Sequence, residues 1–184
     1  MRRIVVGITI ACAVLGTVGC KQGEQKQQPV NYSGAPMQPA MPSPMRINEL
    51  QDAAKMAPKN PQAWVSLGDA LMDSKRFGEA VEAYQKGLAL DPMNVNARVD
   101  LGTCYRGIGQ FEKAIAEYRK AVKQEPNHPN GHRNLGVVLT FDMKNTKEGI
   151  KEFEKYVEIA PNSPEAESVR QTIKDLKAAE KTGK

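Results

Sequence analysis

Trp64-Val65-Ser66-Leu67-Gly68-Asp69-Ala70-Leu71 opens a segment that runs on through Ala80 and Tyr84 to Pro92, and its spacing returns twice further along the chain. Sliding the sequence along itself by 34 residues sets Leu67-Gly68 on Leu101-Gly102, and a second shift sets both on Leu135-Gly136. The same shift aligns Leu71 with Tyr105 and Leu139, Ala80 with Ala114, Tyr84 with Tyr118, and Pro92 with Pro126. The third copy gains one residue, placed around Met143 to Thr146, so Gly149, Phe153 and Pro161 follow at a shift of 35. A period of this length marks one supersecondary unit per copy, stacked on its neighbours.

Each copy reads as two amphipathic helices joined by a tight turn. Leu67, Leu71, Val81, Tyr84 and Leu88 make an apolar stripe that a single hairpin cannot bury, so stacking must bury it. Gly68, Gly102 and Gly136 fall inside helices, where each costs about 1 kcal/mol relative to alanine. A cost repeated at one phase implies that the paired helix approaches too closely for a side chain. Pro92, Pro126 and Pro161 end the second helices, and Asp91, Asn94, Asn127 and Asn162 supply turn chemistry beside them. Upstream, Ser43-Pro44 is a helix start, and Ile47, Leu50, Ala53, Ala54 and Met56 recur at helical spacing until Pro58. Downstream, Ser163-Pro164-Glu165 opens a last helix in which Ala166, Val169, Ile173 and Leu176 form one narrow stripe on a polar background. That pattern suits the end cap of a stack.

Trp64-x-x-Leu67-Gly68-x-x-Leu71, Ala80-x-x-x-Tyr84 and Pro92 resemble the tetratricopeptide repeat, W-x-x-L-G-x-x-Y followed by A-x-x-x-F and P. The resemblance covers about Met45 to Ser163. It implies an all-α fold, a right-handed superhelical solenoid of about three and a half helix-turn-helix copies with a C-terminal capping helix. The expected divisions are a half-repeat helix over 44–60, copies over 61–94, 95–128 and 129–163, and the cap over 164–180. In this family the first helices of successive copies line a concave groove. Carried over by position, the groove holds Gln62, Val65, Asp69, Met72 and Asp73 from the first copy. The second copy gives Asn96, Val99, Thr103, Arg106 and Gly107, and the third Asn130, Arg133, Val137, Thr140 and Phe141. Val65, Val99 and Val137 stand out as apolar residues at a nominally exposed phase. Asp69 and Asp73 lie toward one end and Arg106 and Arg133 toward the other, a mild charge gradient suited to gripping a peptide or helix. The carboxylate clamp of cytosolic chaperone adaptors in this family is not expected, because Val65 and Asp69 stand at its positions.

The chain begins Met1-Arg2-Arg3, and Ile4 to Val18 is apolar and uncharged. This run falls short of the roughly 20 apolar residues that span a bilayer and reads as a secretory signal peptide over 1–19. Leu15-Gly16-Thr17-Val18-Gly19-Cys20 resembles the lipobox of bacterial lipoproteins, with Thr17 where leucine is usual. The resemblance implies lipidation of Cys20, palmitate included, and an anchor of more than one acyl chain holds stably. Two alternatives stay open: cleavage at Thr17-x-Gly19 releasing a soluble periplasmic protein, or an uncleaved anchor. Lys21 to Pro42 is rich in Gln, Pro, Gly and Ser and cannot offset the entropy of ordering. With Cys20 it makes a tether over 20–43, about 25 Å end to end. Lys21 in place of the aspartate of an inner-membrane retention signal points to the periplasmic face of the outer membrane.

A formal net charge of +5 on 184 residues, without a basic stripe, does not suit a nucleic-acid binder. His128 and His132 are four apart, but no third ligand stands near them, so no metal site is expected. Cys104 occupies a small-residue slot in the stack and reads as a buried thiol. Neither a haem motif, nor a phosphate loop, nor a nucleophile elbow occurs. The expectation is a monomeric, membrane-tethered module of the cell envelope that binds protein partners, uses no cofactor and catalyses nothing. The alternative is a self-associating structural spacer.

Overall fold

The computed structural model describes residues 43–182. The leader, Cys20 and the segment 21–42 lie outside these residues. Eight α-helices follow in order: α1 Pro44–Met56, α2 Pro61–Asp73, α3 Phe77–Leu90, α4 Val95–Gly107, α5 Phe111–Gln124, α6 Pro129–Val137, α7 Thr146–Ile159 and α8 Ala166–Thr182. Each helix packs chiefly on its neighbours in the chain, with α2–α3, α4–α5 and α6–α7 the closest pairs. Among the described residues no helix is long and apolar enough to cross a membrane.

Helix starts recur like the rest of the pattern. Asn60 and Asn94 accept the amides of Gln62 and Ala97, both at 3.0 Å. One repeat later His128 holds the same position, its Nδ1 accepting the Gly131 amide at 3.0 Å. Pro44, Pro61 and Pro129 sit just after their caps, where the missing amide would have had no partner anyway. Ser43 caps α1 through the Arg46 amide.

The glycine column is explained by aromatic rings. A Cβ on Gly68 would lie 2.8 Å from Tyr84, one on Gly102 2.6 Å from Tyr118, and one on Gly136 2.7 Å from Phe153. Carbon atoms settle at about 3.5–4.0 Å, and these three rings are at most 2% exposed. The rings therefore lie flat on the glycines of the partner helix, and the hairpins close only because no side chain intervenes.

The extra residue of the third copy is not in the turn, where the sequence alignment placed it. Lys75, Gly109 and Lys144 all have positive φ, at 59°, 75° and 59°, and stand at one position of the three hairpin turns. The turns are therefore alike, and the added residue lies between Gly136 and Lys144. It is absorbed as a π-helical turn over Val138–Asp142 that continues α6. A π turn takes one residue more than an α turn, so it admits an insertion without breaking the helix. Just there Gly149 replaces the alanine of the earlier copies: a Cβ would fall 1.9 Å from Thr140 Oγ1. The threonine hydroxyl fills the space that Ala80 and Ala114 fill elsewhere.

The cap starts two residues later than the sequence suggests, at Ala166. Ser163 does not cap it; its hydroxyl meets Tyr156 Oη at 2.7 Å. Val169, with the partly buried Ile173 and Leu176, then joins Phe153 and Tyr156 in a second apolar cluster. The main core runs from Ile47 to Leu139. Beside it Arg98 donates to Glu117 at 2.9 Å and to Gln124 at 2.8 Å, and its ion-pair side chains are only 11% and 13% exposed.

Candidate interaction face

Helix α4 lies against both α2 and α6, so the first helices of the three pairs share one face. Counting from the glycine column, Asp69, Thr103 and Val137 form one row across it, each half-buried. Counting back from the positive-φ turn residues, Met72, Arg106 and Phe141 form the next row. Gln62, Asn96 and Asn130 lie exposed at its N-terminal edge, Asp73 is exposed beside Met72, and Arg133 is half-buried on α6.

Four residues assigned to this face belong elsewhere. Val65 and Val99 are 8% and 3% exposed and sit in the main core. Val65 points at Gly87 of its own hairpin, whose Cβ would meet its Cγ2 at 2.9 Å. Their apolar character is a packing requirement after all, and only Val137 remains part-accessible. Thr140 is 4% exposed, turned toward Gly149, and its hydroxyl has no partner among the described residues. Gly107 is exposed, but its Cβ direction runs into the Phe77 ring of α3, which a Cβ would meet at 2.6 Å, and so away from the face.

Charge on the face is uneven. Asp69 accepts from Tyr84 Oη at 2.7 Å. Burial raises its carboxyl, with Asp73 adding to the rise and the tyrosine bond opposing it. Asp100, which the sequence reading missed, is pushed up to about 6 by burial first and then by Asp69 and Asp73. Among the described residues none of these three carboxylates makes an ion pair. The opposite end is less basic than expected. Arg106 Nε donates to Asp142 Oδ2 at 2.5 Å, across 36 residues of sequence, so the π turn supplies a counter-charge hidden by the insertion. Between α4 and α6 a small cleft of about 60 Å³ is lined by Thr103, Arg106, Tyr118, Asn134 and Val137. Thr103 Oγ1 lies 3.1 Å from Tyr118 Oη and accepts from Asn134 Nδ2 at 3.4 Å. Asn134 was also missed, since it reads in sequence as an ordinary helix residue, and Tyr118 was read only as a core position of the repeat.

The histidines and the cysteine have structural employment. His128 Nε2 meets Asn96 Oδ1 at 2.9 Å. His132 bridges Glu152 at 2.7 Å and the Pro126 carbonyl at 2.9 Å. The Glu152 hydrogen bond raises His132 above the ordinary imidazole value, against the opposing effect of burial. Cys104 is fully buried; burial, then Asp100 and Asp69, push its thiol up to about 12. Among the described residues no group of three or more His, Cys, Asp or Glu is placed to hold a metal ion.

Residues 71–136 match the family model of the tetratricopeptide repeat. A stretch of 45 residues is 49% identical to the small glutamine-rich tetratricopeptide repeat-containing protein 2 of Mycosarcoma maydis, covering 24% of this chain and 13% of that protein. The chain thus spans a small part of that relative's length. Among solved structures, MamA superposes with a TM-score of 0.66 at 23% identity, over 72% of this chain and 77% of that one. The first TPR domain of Spaghetti (RPAP3), bound to the HSP90 peptide SRMEEVD, superposes at 0.60 with 22% identity, over 65% and 94% of the two chains. The repeated helix pairs, the glycine–ring contacts and these superpositions agree: the described part of this chain folds as an all-α solenoid of helix pairs similar to tetratricopeptide-repeat structures, with residues 71–136 matching the family model.

Proposed function

We propose that the chain is a protein-interaction module whose face of α2, α4 and α6 grips a peptide or helix of a partner. One observation carries the reading: Asp69, Asp73 and Asp100 crowd one end of that face, with no ion pair to any of them among the described residues. Partly buried like charges held together disfavour one another, and a basic group of a partner relieves the conflict. Apolar Met72, Val137 and Phe141 and the polar cleft at α4–α6 supply the rest of a mixed recognition surface, as helical grooves do. Binding rather than catalysis also fits the employment of both histidines and the buried thiol. The Spaghetti domain was solved with an HSP90 peptide; here Asp69 stands at a position of the family's carboxylate clamp and, with Asp73 and Asp100 beside it, repels a chain-terminal carboxylate, so a different class of target is favoured.

The tether belongs to the same proposal. The signal-like run, the lipobox-like Leu15 to Cys20 and the Gln- and Pro-rich segment support a lipid anchor at Cys20, at the periplasmic face of the outer membrane. In this reading a monomeric solenoid is held at the membrane and helps assemble or stabilise an envelope complex. Two measurements test it. Crosslinked pull-down from envelopes compares wild type with an Arg106→Glu, Arg133→Glu double variant; the expected result is loss of a partner, and retention of every partner refutes the face. Mass measurement of the N-terminus expects a lipid on Cys20, and an unmodified cysteine removes the tether.

A further inference from the structure

Arg106, paired with Asp142, lines the α4–α6 cleft, and the cleft is mostly polar. Thr103 and Tyr118 contribute hydroxyls, Asn134 an amide and Arg106 a guanidinium. Val137 is its one apolar wall. Arg106 uses Nε and Nη2 on Asp142, at 2.5 and 3.4 Å, and Nη1 makes no hydrogen bond among the described residues. Asp142 therefore reports, from within the chain, which chemistry this point of the face accepts: a carboxylate. It is held by one short contact and one long one; Asp142 is 18% exposed but Arg106 is 40% exposed, so the pair is open to a partner from the arginine side.

Resting on the proposed binding face, we infer that the cleft takes an acidic side chain of the partner segment, which displaces Asp142 from Arg106. The incoming carboxylate gains the guanidinium, while Thr103, whose hydroxyl donates to the Val99 carbonyl at 3.2 Å, stays bonded to Tyr118 and Asn134 as the cleft's polar floor; charge-assisted bonds of the guanidinium type are the stronger class. Phe141, exposed at the same row as Arg106 and tilted against Phe153 with ring centres 6.4 Å apart, offers an apolar wall beside that anchor. The π turn places Phe141 and Asp142 there, so the one-residue insertion is the specificity device of the third copy. With the uncompensated carboxylates at the α2–α4 end, the partner segment lies with a basic residue toward Asp73 and Asp100 and an acidic one toward Arg106.

The test uses the full chain, fluorescently labelled in detergent micelles, on an array of immobilised random twelve-residue peptides. Peptides are made in matched triplets that differ only at the central residue, glutamate, glutamine or lysine. Wild type is expected to favour glutamate over glutamine. Asp142→Asn is expected to raise binding of the glutamate members up to about fivefold, the strength of one exposed ion pair expressed as a ratio. Arg106→Gln is expected to erase the preference. A merely structural role for Asp142 predicts a lower melting temperature and no gain in binding, so the gain separates the two. Equal binding of glutamate and glutamine peptides by wild type and Asp142→Asn overturns the inference. If such indifferent binding is still lost on Asp73→Lys, the face itself stands; if Asp73→Lys changes nothing, the face falls with the inference.

Discussion

Replacing Gly102 with alanine is expected to destabilise the solenoid, whereas the same change at Gly78 is expected to stabilise it. Both glycines lie in helices. In α4 the new methyl would sit 2.6 Å from the Tyr118 ring, while at Gly78 nothing lies within 4 Å. Alanine gains at most about 1 kcal/mol of helix propensity at either site. At Gly102 that gain is opposed by overpacking of about 1–3 kcal/mol, since Tyr118 is 1% exposed and has nowhere to retreat. Pushing the ring away also lengthens its 3.1 Å contact with Thr103, costing about a further 1 kcal/mol. The net loss is roughly 1–3 kcal/mol, a fall in melting temperature of about 3–10 °C for a domain of this size. Gly78→Ala should raise it by a few degrees at most. Thermal unfolding followed by far-UV circular dichroism decides. A Gly102→Ala protein that melts at or above wild type would refute the account of why the glycine column exists.

Gly149→Ala should lose about 1–3 kcal/mol through its collision with Thr140 Oγ1, and Thr140→Ala in the same chain should recover most of it. A double-mutant cycle without coupling contradicts the compensation. Arg98→Met removes the buried partner of Glu117 but leaves its 2.7 Å pair with Lys120, so it should cost about 1–2 kcal/mol in denaturant unfolding, the lower end for a hydrogen bond to a charged group; a change under about 0.5 kcal/mol would place the Arg98 pair among neutral surface contacts. Asp100 is raised to about 6 in the folded chain, against about 3.9 unfolded. Its protonated form is therefore favoured on folding, and the stability it contributes is present below about pH 4 and lost as pH rises through about 6. Asp100→Asn should accordingly gain on wild type progressively over that interval, and melting-temperature differences independent of pH would show that Asp100 is not the titrating group.

The repeat was legible because its cause is periodic. Leu67-Gly68, Tyr84 and Pro92 recur with the helix pair, and glycine against ring is a contact between positions a fixed distance apart. What escaped the sequence was local. Helical phase counts Val65 and Val99 as exposed, yet neighbouring α3 and α5 close over that side. The room that Gly87 leaves for Val65 exists only once α2 and α3 pack. The insertion is visible in sequence, but an alignment slides freely between Gly136 and Lys144 and puts it in the loop. The positive φ shared by Lys75, Gly109 and Lys144 fixes it inside the helix, and with it the partner of Arg106. Asp100 was missed because it falls two residues before a glycine, off the family's groove positions, and becomes part of the face only through Asp69 on the adjacent helix.

The most direct test of the binding face is site-specific photocrosslinking in intact envelopes. A photoreactive residue is placed at Asn96 or Phe141, exposed on the α2–α4–α6 face, and at Lys123, exposed on α5. A discrete adduct is expected from the first two positions and none from Lys123. The same adduct from Lys123, with none from Asn96 or Phe141, would contradict the proposed face.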